Sequence, residues 1–132
     1  MAKKKRINSK AKGARFERTL AKRLRDYGYD DSRRTAQYCG NTGDASDVVG
    51  LPFLHIEAKH VERLNIYEAM AQAKNDAAAG GKGLLPAVFH KKNNCEILVT
   101  MEIDDFMKIY AEFEKGLKNG TEQQNRTCES YS

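Results

Sequence analysis

Residues 46–60, SDVVGLPFLHIEAKH, most constrain what this chain can fold into. Val48, Val49, Leu51, Phe53, Leu54 and Ile56 need a packed interior, yet Asp47, Glu57 and Lys59 are set among them. Side chains two apart on a strand share a face at about 7 Å spacing, so Glu57 and Lys59 project together while Leu54, Ile56 and Ala58 turn toward the core. Pro52 suits a turn, which makes 48–50 and 54–59 the two strands of a hairpin. An odd connection, such as residues 51–53, sets Asp47 opposite Glu57 so that two carboxylates meet; an even one separates them unless a bulge intervenes.

Carboxylates side by side repel, and each raises the pKa of the other unless a cation lies between them. As a ligand set they suit a hard divalent ion. Mg²⁺ takes oxygen donors at about 2.1 Å and keeps several waters, and the Ala58 carbonyl is a further donor of that kind. Lys59 is then placed to hold or deprotonate a water, or to balance charge in a phosphodiester transition state. Taken singly, Asp47 also reads as a turn or capping residue, and Glu57 with Lys59 as one solvated strand face.

The rest of the chain supplies a scaffold for one domain. Its 132 residues allow a single core. Phe16, Leu20, Leu24 and Tyr27 recur at helical spacing over 11–27, with Gly28 as a stop. Residues 29–38 permit a strand, and the loop 39–46 is long enough to touch a ligand near Asp47. Asn65 and Glu68 form a capping-box pattern for a helix to about residue 79, whose inner face carries Ile66, Ala69, Met70, Ala73 and Ala77. Strands over 85–90 and 96–101 flank a turn that Asn93 and Asn94 tolerate, and Asp104 caps a last helix bearing Phe106, Met107, Tyr110, Phe113 and Leu117. The order is α-β-β-β-α-β-β-α. Residues 1–10 read as a basic flexible tail, 11–118 as the domain and 119–132 as a polar flexible tail.

Composition narrows the partners. The formal charge is +5, and between Lys3 and Arg25 eleven Lys or Arg stand against the single acid Glu17. That asymmetry points to a polyanion, most simply nucleic acid, although a solubilising tail has the same charge. Lys10, Lys12, Arg15, Arg18, Lys22, Arg33 and Arg34 are the candidate phosphate contacts. No apolar run approaches the roughly 20 residues of a membrane span, and the basic N-terminus lacks the apolar part of a secretory signal, so a cytoplasmic protein is expected. Cys39, Cys95 and Cys128 are too few and too scattered for a disulfide framework or a zinc site. His55, His60 and His90 read as structural or surface residues. No Ser-His-Asp set, phosphate-cradling loop or HNH pattern is present, leaving metal-activated water as the economical chemistry, with no organic cofactor.

Asp47, nine intervening residues and then Glu57-Ala58-Lys59 on an apolar hairpin resemble the PD-(D/E)XK nuclease signature, with Ser46 in place of its first proline. The stretch KGARFERTLAKRLRDYGY resembles the opening helix of archaeal-type and phage Holliday junction resolvases. HIEAKHVERLNIYEAMAQAKNDA and LPAVFHKKNNCEILVTM are similar to small phage-type members. The resemblance implies a restriction-endonuclease-like α/β core, a mixed five-stranded sheet flanked by helices. It also implies a Mg²⁺-dependent endodeoxyribonuclease, with Mn²⁺ as substitute, acting on branched DNA in a bacterial host cytoplasm. Metal ligands would be Glu17, Asp47, Glu57 and Ala58; Lys59 would serve the water, and Gln72 falls where relatives place a polar residue near the metal. A homodimer is expected, because a four-way junction offers two symmetric strands. The competing readings are a non-catalytic nucleic-acid-binding module, or a nuclease of this fold acting on nicked or linear duplex, flaps or RNA.

Overall fold

A computed structural model describes residues 9–35 and 46–130, with backbone only for 121–130. The chain divides into two compact units, Met1–Met101 and Glu102–Ser132. The first holds α1 (Ser9–Asp26), β1 (Arg33–Arg34), β2 (Val48–Val49), β3 (Leu54–His60), α2 (Ile66–Gly80), β4 (Leu85–Lys91) and β5 (Leu98–Thr100). The second holds α3 (Ile103–Ser130). This is the element order expected from the sequence, and the sheet is mixed and five-stranded, in the order β1-β2-β3-β4-β5. β3 and β4 run parallel, joined by α2, and the remaining neighbours are antiparallel.

Alternation along β3 sorts its side chains between two layers. Ile56 and Ala58 pack with Phe16, Leu20, Ala21 and Leu24 of α1, with Val48, and with Ala87 and Phe89 of β4. On the other face Ala69, Met70 and Ala73 of α2 cover Val88. The alanines of α2 bring the helix close to the sheet. Tyr27, placed by its spacing on the buried stripe of α1, is instead exposed. α1 stops at Asp26, so Tyr27 falls in the turn beyond the last helical position and loses the phase of the stripe.

Turn chemistry follows the sequence in most places. Asn65 caps α2, its side chain accepting from the Glu68 N–H at 3.2 Å, and Gly81 closes the helix with a left-handed backbone. Asn94 takes a positive φ of 60° in the turn between β4 and β5. In the hairpin Pro52 precedes Phe53 at φ 71°, the pattern of a type II turn with a residue other than glycine at its third position. α3 begins at Ile103, so Asp104 lies in its first turn and not at its cap. The helix also runs through the polar segment from 119 to Ser130. β1 is only two residues long: of the strand read over 29–38, 29–32 form a turn region and 35 is irregular, while 36–38 and nearly all of the loop 39–46 lie outside the described residues.

Gly50 is the point where the hairpin meets the chain that precedes it. Its φ is 103°, and a Cβ there would lie 2.4 Å from the Ser32 Cα and 2.5 Å from the Ser32 nitrogen. Backbone cannot yield as a side-chain tip can. We expect Gly50→Ala to cost about 3 kcal/mol or more, from strained φ plus overlap. Gly81→Ala, at φ 63° with open space around it, should cost about 1 kcal/mol. Urea midpoints of the two variants measure the difference, and equal shifts would contradict this account.

Candidate active site

The register of the hairpin builds the site. Val48 pairs with Ile56 and the Asp47 N–H donates to the Ile56 carbonyl at 2.8 Å, which brings Asp47 level with Glu57. Val48 opposite Ile56 is the register of an odd connection, although β2 ends at Val49 and the four residues 50–53 separate it from β3. Asp47 is then fixed from its side-chain end, because the Ala58 N–H donates to its Oδ2 at 2.8 Å. Glu57 is only 3% exposed. Its near neighbour Lys59 holds Nζ 3.5 Å from Glu57 Oε1 and donates to Gln72 Oε1 at 3.2 Å. Lys59 and Gln72 also line an open cavity of about 430 Å³ beside the start of α2.

Two acids packed this closely cannot both ionise freely. Glu57 is pushed up to about 7, first by burial and then by the charges of Asp47 and Asp76, against the pull of Lys59. Asp47 is raised as well, by burial and by Glu17, while the Ala58 N–H, Lys59 and a hydrogen bond with Glu57 hold it down. One proton shared between Asp47 and Glu57 satisfies the pair when no cation is bound. A divalent cation would replace that proton, and the donor set suits one: two carboxylates in contact, a third nearby, and backbone oxygen on the same strand.

Glu17 approaches from α1, close enough for its charge to act on Asp47, but its Oε2 is held by Arg34 Nε at 2.5 Å. Arg34 is thus engaged with the site's own acid. Lys12 is largely buried and lies 3.9 Å from Glu62, and Lys22 pairs with Asp26 at 3.7 Å within α1. Arg15 and Arg18 stand exposed on α1, Lys10 is exposed at its start, and the Arg33 side chain reaches the Asp31 carbonyl at 3.4 Å.

Two residues near Glu57 were missed in the sequence. His55, read as structural or surface, is buried at 2% exposure on the Glu57 face of β3, with Nδ1 3.0 Å from Ser46 Oγ. Asp76 comes from α2, one turn beyond Gln72. Ligand atoms of His55, Glu57 and Asp76 lie within 4.8 Å of one another, the compact three-residue donor group among the described residues. Strand alternation alone would have placed His55 beside Glu57, and the i,i+4 step from Gln72 points to Asp76. His60, bonded to Asn93 at 2.9 Å, and His90, bonded to Thr100 at 2.8 Å, serve the scaffold. Cys95 is an exposed free thiol.

A mixed sheet between helices, with an Asp from one strand of a hairpin and Glu-Ala-Lys from the next, defines the PD-(D/E)XK class of nucleases. The family described as "Phage putative PDDEXK endonuclease" matches residues 8–129, nearly the whole chain, and the protein belongs to that family. No curated protein and no solved structure matches it. Among the described residues no helix is long and apolar enough to cross a membrane.

The protonated pair sets a pH dependence. A folded-state pKa near 7 against the ordinary 4.5 means that the metal-free fold holds more protons than the unfolded chain between those values. Stability therefore falls as pH rises from about 4.5 to about 7. Urea titrations in EDTA should show that slope, and Glu57→Gln should remove most of it. A slope of opposite sign would contradict the shared proton.

Proposed function

We propose that the protein is a metal-dependent endodeoxyribonuclease that cuts branched DNA as a homodimer, in the manner of a Holliday junction resolvase. The observation that carries the chemistry is the approach of the half-buried Asp47 to the buried Glu57, with the Lys59 ammonium beside them. Asp47 and Glu57 would hold Mg²⁺, or Mn²⁺ in its place, with the Ala58 carbonyl and Glu17 as further donors. The ion would supply Lewis acidity and a water of lowered pKa. Lys59 orients that water or offsets the charge that builds on the phosphodiester, and Gln72 fixes the ammonium by accepting its hydrogen bond. Arg34 holds Glu17 in place beside Asp47.

Selectivity for branched DNA is supported by the likeness of the α1 sequence to the opening helix of resolvases. The exposed Arg15 and Arg18, with Lys10, give that helix a basic surface for phosphates. A two-fold dimer would set two sites against the two symmetric strands of a junction. The work would be done in the cytoplasm of an infected bacterium.

Cleavage of a synthetic four-way junction and of a matched linear duplex in Mg²⁺ tests the substrate. The junction should be cut preferentially, and indifference to the branch would remove the resolvase assignment. Glu57→Ala and Lys59→Ala should each lower cutting at least about a hundredfold while junction binding in Ca²⁺ persists. Substantial cutting by either variant would reject its role, and a parent protein that binds but never cuts would reveal a binding module.

A further inference from the structure

The face of β3 that turns toward α2 carries a second donor set beside the carboxylate pair. His55 and Glu57, two residues apart, share that face, and Asp76 meets them from α2. His55 and Glu57 are buried and Asp76 is half-buried. One ligand atom from each lies within 4.8 Å of the others, a group to which Asp47 does not belong. Tetrahedral neighbours stand about 3.4 Å apart around an ion whose ligands lie at about 2.1 Å. Small side-chain rotations therefore close the three donors on one ion.

We propose that His55, Glu57 and Asp76 form a second metal site, which takes Zn²⁺ in preference to Mg²⁺. Donor chemistry selects the ion. An imidazole with two carboxylates suits Zn²⁺ in a tetrahedron completed by water, whereas Mg²⁺ asks for octahedral oxygen. The imidazole is also oriented as a ligand is. Bound through Nε2, the ring carries its proton on Nδ1 and donates it to Ser46 Oγ, 3.0 Å away and itself buried. A route for the ion exists as well. A cavity of about 480 Å³ has Ser46, His55 and Ala77, the residue after Asp76, in its walls.

Glu57 is common to this site and to the Asp47 pair. Zn²⁺ on the His55 side draws on the carboxylate that the catalytic ion needs, so trace Zn²⁺ should inhibit cutting in Mg²⁺. That consequence rests on the proposed function, whereas the site itself does not.

The test uses the metal-stripped full chain carrying Cys39→Ser, Cys95→Ser and Cys128→Ser, so that no thiol competes. Titrated with Zn²⁺ against a chromogenic chelator, it should bind one ion per chain at micromolar or tighter Kd. His55→Gln and Asp76→Asn should each weaken binding at least about tenfold, the least that loss of even an outer partner of a metal site costs. Asp47→Asn should weaken it less than either. Absorption at the zinc edge should show imidazole scattering in the parent and lose it in His55→Gln. Circular dichroism checks each fold, and Asp76→Asn, on the half-buried side of the site, carries the test if the buried His55→Gln does not fold. No micromolar binding, an affinity that neither variant changes, or a loss greatest in Asp47→Asn would overturn the site. These readings need no DNA, so they stand whether or not the protein is a nuclease. With a four-way junction in Mg²⁺, micromolar Zn²⁺ should inhibit the parent more than Asp76→Asn, and equal inhibition would overturn the link to Glu57.

Discussion

The site depends on one backbone register. Because Val48 pairs with Ile56, the Asp47 N–H meets the Ile56 carbonyl and the Asp47 carboxylate meets both the Ala58 N–H and Glu57. A slip of one residue would turn every side chain of β3 over, sending Glu57 and Lys59 toward α1 and Ile56 toward α2. The apolar cluster of Ile56, Ala58, Phe16 and Leu20 opposes that slip, since it would expose the core on one face and bury charge on the other. Packing on the α1 face thus sets the chemistry of the α2 face. Gly50 belongs to the same constraint, because only a residue without Cβ lets the hairpin approach Ser32 so closely.

Most of this was legible in the sequence because it rests on short-range rules. Period-two alternation gave the two faces of β3, the connection across Pro52 left the register open between two parities, and Asn65, Gly81 and Asn94 marked their turns by known backbone preferences. What escaped depends on tertiary approach. Asp76 reaches Glu57 only because the alanines of α2 let the helix come close to the sheet, a distance that no linear pattern encodes. Charge alone marked Arg34 as a phosphate contact, but its ion pair with Glu17 follows from the packing of β1 beside α1. Tyr27 shares the spacing of its helix but lies past the helix end, where periodicity no longer governs direction.

Packing Asp47 beside the buried Glu57 is costly, and the fold offsets that cost locally. The Ala58 N–H, the Lys59 ammonium and a shared proton each compensate part of the charge. His55, buried, and Asp76, half-buried, place ligand atoms beside that of Glu57, so the carboxylate stands between a buried imidazole and the Lys59 ammonium. That gradient from interior to cavity suits a site that takes substrate from one side only.

The central claim is that Asp47 and Glu57 act together as metal ligands. A crystal soaked in Mn²⁺ and measured at the manganese absorption edge tests it most directly. An anomalous peak bridging the two carboxylates, at about the 2.1 Å expected of oxygen ligands to a small divalent ion, is the result this account requires. Carboxylates that keep their mutual hydrogen bond at saturating manganese, with no peak between them, would contradict it.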